Sequence, residues 1–162
     1  KMNVDGACKG VRKSAGCGGL IRGSNGQWIC GFAKKLGSCV AVKSELWAVL
    51  TGLELAKSYN LDNIVVECDS TDVVCMLRNM QEDDADEVRL LVLIRLLLQN
   101  FTNCIFSHVY REGNSCADTL ANFSFIQEEM FNVFDRPPRC ILGCLYRDFV
   151  GIAYPRDIQI KE

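Results

Sequence analysis

The chain opens with short runs of apolar and β-favouring residues broken by polar ones. Lys1 to Lys9, Gly16 to Ile21 and Trp28 to Leu36 each read as a β-strand. Between the second and third, Asn25-Gly26 is a two-residue turn signal, because both central positions of a type I′ turn require positive φ. An antiparallel meander is therefore predicted. The period then changes: Leu46, Val49, Leu50, Leu53 and Ala56 recur at helical spacing and predict a helix over Val42–Tyr59. Asn63 to Glu67 is a β-branched strand running into Cys68-Asp69-Ser70, and a helix follows from about Thr71 to Met80. Beyond an acidic connector, Gln81 to Glu87, the stretch Val88 to Gln99 reads as a helix apolar on most sides and hence largely buried.

Cys104 to Tyr110 is a further strand and Arg111-Glu112-Gly113-Asn114 a turn. Asn114 or Ser115 then caps a helix carrying Asp118 and running to about Met130. From Phe131 the pattern loosens: Arg136-Pro137-Pro138 breaks regular structure, Cys140 to Tyr146 suits a short helical turn, and Val150 to Glu162 reads as an extended surface tail. A meander followed by strand–helix–strand alternation predicts an α/β fold on a mixed sheet. Residues 1–130 form the expected domain, and residues 131–162 a C-terminal tail packed on it or extending from it.

Composition narrows the class. Hydrophobic residues make up 49% of the 162 positions and charged residues 23%, the balance of an ordinary folded domain. The longest apolar run, Leu90 to Leu98, is broken by Arg95 and is too short to cross a bilayer, so no membrane partner is expected. No secretory signal precedes the first strand, and the chain begins at Lys1, which suits a segment cut from a longer protein. The ten cysteines are scattered through apolar and strand positions, where a free thiol behaves as a small hydrophobe. That distribution favours reduced thiols in a reducing compartment, nucleus or cytoplasm. Zinc is disfavoured: Cys140 and Cys144 have no second pair, and His108 is the single histidine. Net charge is −2, but residues 1–44 hold eight Lys/Arg against one acidic residue, and the remainder ten against nineteen. The basic first third suits either a nucleic-acid-binding face or solvated lysines on exposed strands.

Four carboxylates stand at element ends. Asp5 interrupts the first strand, as a surface residue at the strand's end or as the anchor of a metal site. Glu45 sits at the start of the first helix, where it would also favour the helix dipole. Asp69 ends the fourth strand, and it or Ser70 could serve as an N-cap. Asp118 lies on the last long helix. If the fourth strand runs parallel beside the first, Asp5 and Asp69 become neighbours. Four carboxylates that close cannot all ionise unaided, and hard divalent cations resolve the conflict. Two such ions can hold the attacking water and the departing oxygen of a phosphodiester together.

The motifs Asp5-Gly6-Ala7, Gly18-Gly19-Leu20-Ile21-Arg22, Ser44-Glu45-Leu46-Trp47-Ala48-Val49 and Glu67-Cys68-Asp69-Ser70 resemble type 1 ribonuclease H. His108-Val109-Tyr110-Arg111-Glu112-Gly113-Asn114 followed by Ala117-Asp118 completes the likeness. It is similar above all to the plant group that stands alone or ends non-LTR retrotransposon reverse transcriptases. The likeness runs to about Ser124, and the tail (Phe134-Asp135, Pro137-Pro138, Tyr154-Pro155-Arg156) shares it.

The resemblance implies a five-stranded ribonuclease H-like sheet flanked by helices, two Mg2+ or Mn2+ ions, and cleavage of the RNA strand of an RNA–DNA hybrid. It implies that Asp5 bridges both ions, that Glu45 and Asp69 hold one, and that Asp118 completes the other. By the same likeness His108 assists proton transfer or product release, against the plain alternative of a strand-edge histidine. Gly6, Ala7 and Asn114 are the implied substrate contacts, with helix capping the other role open to Asn114. One departure stands out. Where relatives carry a basic protrusion, this chain has Glu82, Asp83, Asp84, Asp86 and Glu87, so unaided hybrid binding should be weak and salt-sensitive. A fold-retaining domain that binds nucleic acid or protein with little turnover is the rival expectation, and so is a nuclease of the same fold acting on another nucleic acid.

Overall fold

Six strands share one mixed sheet in the order β5-β4-β1-β2-β3-β6 in a computed structural model that describes residues 1–11, 13–79 and 85–151. The strands are β1 (Met2–Lys9), β2 (Ser14–Arg22), β3 (Trp28–Ser38), β4 (Asn63–Cys68), β5 (Asn103–His108) and β6 (Phe131–Phe134). The helices are α1 (Ala41–Ser58), α2 (Thr71–Asn79), α3 (Ala85–Leu98), α4 (Ser115–Phe123) and α5 (Leu142–Val150). β1, β2 and β3 are the antiparallel meander that the sequence predicts, and β4 and β5 join in parallel beside β1.

Strand alternation divides the core between two faces. On one, Met2, Val4 and Phe32 are fully buried with Leu46, Val49 and Leu53 of α1, and Leu91 and Ile94 of α3 close over them. On the other, Leu20 packs with Cys116 and Leu120 of α4 and with Ile141 and Cys144 of the C-terminal segment. Each fully buried leucine or phenylalanine contributes about 1.5–3 kcal/mol by leaving water. Two glycines set how closely the helices approach. A Cβ on Gly6 would overlap the backbone of Ser44 and Glu45 in α1, and one on Gly18 the backbone of Leu120 and Ala121 in α4. Gly18 is the register partner of Asp5, so both close approaches occur beside the same carboxylate.

Several expectations are corrected. The sheet has six strands rather than five, because Phe131–Phe134 pairs antiparallel with Gly31–Lys34 on the open edge of β3. The stretch beyond residue 130 thus contributes to the sheet itself. The β2–β3 connection spans residues 23–27 and is not a two-residue type I′ hairpin: Gly26 alone has positive φ, and Gly26 N–H donates to Gly23 O at 3.0 Å. α4 stops at Phe123, well short of Met130. α3 is not largely buried. Leu90, Leu91 and Ile94 face the core, but Val92, Leu93 and Leu96 are exposed. Cys140–Tyr146 is a short 3-10 turn leading into a true helix, α5. All ten cysteines are free thiols. Among the described residues no helix is long and apolar enough to cross a membrane. Arg12, Met80, residues 81–84 of the acidic connector and residues 152–162 of the tail, with Tyr154-Pro155-Arg156, lie outside the described residues.

Candidate metal and nucleic-acid site

Parallel pairing of β1 with β4 brings the first two carboxylates together. Met2 pairs with Val66 and Asn3 with Glu67, so the same register carried three residues beyond Met2 and Val66 sets Asp5 level with Asp69. Asp69 lies just past the end of β4, and its rival role is taken by its neighbour: the Val73 N–H donates to Ser70 Oγ at 3.3 Å, making Ser70 the cap of α2. Glu45 arrives from α1. That helix begins at Ala41, which moves Glu45 out of the first turn, and the dipole effect fades beyond that turn. Glu45 instead turns inward and accepts hydrogen bonds from the Gly6 N–H and the Cys68 thiol, the latter at 3.5 Å. Asp118 comes from the first turn of α4 on the opposite face, exposed, with Asn122 Nδ2 donating to its Oδ1 at 3.0 Å.

All four carboxylates line one cavity of roughly 490 Å3, together with Gly6, Ala7, Lys9 and Arg111. Its electrostatics are strained. Burial pushes the Asp5 carboxyl far up from the ordinary range, and Glu45, Asp69 and Asp118 push it further. Glu45 is raised as well, first by burial and then by Asp69, against the hydrogen bonds that pull it down. One cation answers: Arg111 Nε stands 3.5 Å from Asp69 Oδ2 on a side chain that is otherwise solvent-exposed. A set of carboxylate oxygens that resist ionisation together is the donor chemistry that suits hard divalent cations.

A polar network lies beneath the cavity. Arg22 Nη2 donates to Asn3 Oδ1 at 2.7 Å and Arg22 Nη1 pairs with Asp148 of α5 at 2.9 Å. Asn3 Nδ2 donates to Glu67 at 2.8 Å and to Asn114 Oδ1 at 3.3 Å, while Asn114 Nδ2 donates to the Val4 carbonyl at 2.9 Å. Asn114 therefore stands at the N-cap position of α4 without a capping side-chain bond, its amide turned inward. It is 1% exposed, and its amide ties the start of α4 to β1 and so holds Asp118 in place. Asn114→Ala should leave the Val4 carbonyl and the Asn3 amide short of partners, at a cost of about 2–3 kcal/mol. Urea unfolding checks this, and an unchanged midpoint would show that α4 is anchored by its apolar face alone.

His108 ends the edge strand β5 in register with Cys68, with its ring 5.5 Å from Tyr110 in edge contact. It is not among the residues lining the cavity, whereas Arg111, read from sequence only as part of a turn, is. Cys68, one of the strand cysteines that sequence marks as small hydrophobes, is buried and donates its thiol hydrogen bond to Glu45.

The chain matches the reverse transcriptase-like family over residues 3–124. It is 34% identical over 160 residues to a candidate ribonuclease H protein of Arabidopsis thaliana, a match that spans 99% of this chain but 26% of that protein. Ribonuclease HI of Halobacterium salinarum is 30% identical over 119 residues, spanning 73% of this chain and 60% of that protein. The crystal structure of the ribonuclease H1 from that archaeon superposes with a TM-score of 0.73 at 27% identity, covering 77% of this chain and 96% of that one. LC11 ribonuclease H1, solved with an RNA/DNA hybrid, superposes with a TM-score of 0.70 at 22% identity, covering 75% and 93%. The match over residues 3–124, the sheet order and the carboxylates gathered in one cavity agree, and the chain belongs to the reverse transcriptase-like family with a ribonuclease H-like fold.

Proposed function

We propose that this chain is a divalent-metal-dependent endoribonuclease that cleaves the RNA strand of RNA–DNA hybrids, acting as part of a larger polypeptide. The observation that carries the reading is the convergence of Asp5, Glu45, Asp69 and Asp118, from four separate elements, on one cavity. Relatives named ribonuclease H, one of them solved with a hybrid, support the choice of substrate. The small share of the Arabidopsis protein that is matched supports a larger parent.

Asp5, Glu45 and Asp69 are the residues to hold one Mg2+ or Mn2+ ion, and Asp5 with Asp118 a second. Ions held there would supply Lewis-acid chemistry, making an attacking water more acidic and offsetting charge on the departing oxygen. Hydrolysis breaks the P–O3′ bond and leaves a 5′-phosphate and a 3′-hydroxyl. The chain's own groups position the strand. Lys9 and Arg111 are the cations among the described lining residues and are the groups to meet the phosphates. Gly6 and Ala7 present main chain to the 2′-hydroxyls, the group that distinguishes RNA from DNA. His108 stands at the edge of the sheet to relay a proton to or from solvent as product leaves.

The test is cleavage of a labelled RNA–DNA hybrid at low salt with Mg2+ or Mn2+, beside double-stranded RNA, double-stranded DNA and the Asp69→Asn variant. Metal-dependent cutting of the RNA strand in the hybrid alone, lost in the variant, is expected. A folded protein that cuts nothing with either metal would sink the proposal in favour of a binding domain. Activity surviving in the variant would displace the assigned site.

A further inference from the structure

We propose that Cys8 and Cys39 form a dithiol that a peroxide closes to a disulfide in the wall of the carboxylate cavity, and that the closed form grips the RNA–DNA hybrid more weakly. The first half stands on the thiols alone. The second rests on the substrate reading given above.

Placement carries it. Cys8 lies near the end of β1 and lines the cavity between Ala7 and Lys9, the expected contacts to sugar and phosphate. Cys39 directly precedes Val40, the N-cap of α1. The two cysteines stand 31 residues apart in the chain, yet the Cys8 thiol donates to the Cys39 carbonyl at 3.2 Å. The Cys39 thiol in turn hydrogen-bonds the Cys8 side chain. Sulfurs brought into contact from separate elements satisfy the proximity that a disulfide requires. Cys8 Sγ also stands 3.6 Å from Ser44 Oγ, so the same side chain touches α1 itself.

Access separates this pair from the other strand cysteines. Cys17, Cys30 and Cys68 are buried and act as apolar filling, whereas Cys8 and Cys39 are both half-buried. An accessible sulfur beside a second thiol that can resolve it is the arrangement of redox-sensing cysteines. Cys8 opens on the cavity, so a peroxide meets it first. The peroxide gives one oxygen to the Cys8 sulfur, forming the sulfenic acid and one water. The Cys39 sulfur then displaces the hydroxyl, which leaves with the Cys39 proton as a second water. Two thiols are oxidised and one peroxide is reduced. In a reducing compartment such a bond is transient, a sensor rather than a staple.

Closure acts on the cavity wall. Bonded sulfurs stand about 2.05 Å apart, closer than hydrogen-bonded ones. Cys8 is therefore drawn toward Cys39, its thiol bond to the Cys39 carbonyl is lost, and the strand end that carries Ala7 and Lys9 shifts with it. Asp5 is paired mid-strand with Gly18, so the displacement fades before it reaches the metal donors. The effect should fall on substrate binding and spare the metal.

The experiment treats the folded protein with hydrogen peroxide, then alkylates, digests and weighs the peptides. A linked pair containing Cys8 and Cys39 should form ahead of any other cysteine pairing and vanish with dithiothreitol. In Cys39→Ser the same treatment should leave Cys8 as a sulfenic acid that dimedone traps. In wild type the KM for hybrid should rise at least roughly threefold in step with the fraction crosslinked and recover with reductant, while Mn2+ affinity stays within about twofold. Thiols at Cys8 and Cys39 that remain open to alkylation while exposed Cys75 and Cys140 oxidise would overturn the site. A complete crosslink with KM unmoved would overturn its effect on substrate. Reduced wild type that neither cleaves nor binds hybrid would remove the substrate reading and the second half of this inference with it, while the crosslink stands or falls by mass alone.

Discussion

Asp5→Asn is expected to lower hybrid hydrolysis by roughly 10^3-fold or more and, in the presence of a chelator at pH 8, to raise unfolding stability by about 1–3 kcal/mol. The two effects share one cause. Asp5 is 5% exposed, and burial first, then Glu45, Asp69 and Asp118, disfavours its charged form. An amide of the same shape is neutral without taking up a proton, so the variant escapes the cost of protonating Asp5 on folding. The sign of the pH dependence follows. Asp and Glu titrate near 3.9 and 4.3 in an unfolded chain, while both are raised in the fold, so the native state holds more protons through the window above about pH 4. Chelated wild type should therefore be most stable at the acid side of that window and lose stability as pH climbs through neutrality. Asp5→Asn should lose much less, so the gap between them widens with pH. Mn2+ should reverse the order by stabilising wild type and barely touching the variant. Urea unfolding with chelator at pH 5.5 and 8, then with Mn2+ at pH 8, reads all three. A variant less stable than chelated wild type at pH 8 would mean that Asp5 is held by hydrogen bonds rather than strained by neighbouring charge.

What could be read from sequence was what local pattern and strand pairing determine. Asp5 and Asp69 meet because parallel strands in register bring equivalent positions level, and the β-branched run at Asn63–Glu67 already announced the second strand. The apolar stripe of α1 likewise placed Glu45 at the right end of the right helix. What escaped depends on partners distant in the chain. Asn114 stands before a helix, where local rules make it a cap, yet its amide bonds Val4, which lies 110 residues away. Ser70 and Asp69 compete for one cap, and only the fold shows that Ser70 takes it and leaves Asp69 to the cavity. β6 is four residues long and gains its pairing from the unpaired edge of β3, information that Phe131–Phe134 does not carry alone. An all-round apolar helix such as α3 suggests burial on every side, but composition cannot say which neighbours are present to cover Leu93 and Leu96.

Gly6→Ala should be strongly damaging for a single added methyl, costing about 3 kcal/mol and weakening Mn2+ binding at least roughly tenfold. The added carbon would overlap main-chain atoms of Ser44 and Glu45 as well as Ser44 Oγ, and main chain cannot rotate aside. Ser44 is already fixed, buried, with its Oγ donating to the Ala41 carbonyl at 2.7 Å. Relief therefore requires the start of α1 to lift from β1. That movement would separate Glu45 from the Gly6 N–H and from Asp5, so loss of packing and loss of the donor set should come together. Gly113→Ala is the control, since nothing lies within 4 Å of its added carbon, and a change within about 0.5 kcal/mol is expected there. Urea midpoints and Mn2+ titration of both variants decide the matter. A Gly6→Ala protein with normal stability but lost metal binding would mean that α1 yields locally at Glu45. Normal values of both would mean that the close approach of α1 to β1 does not set the site.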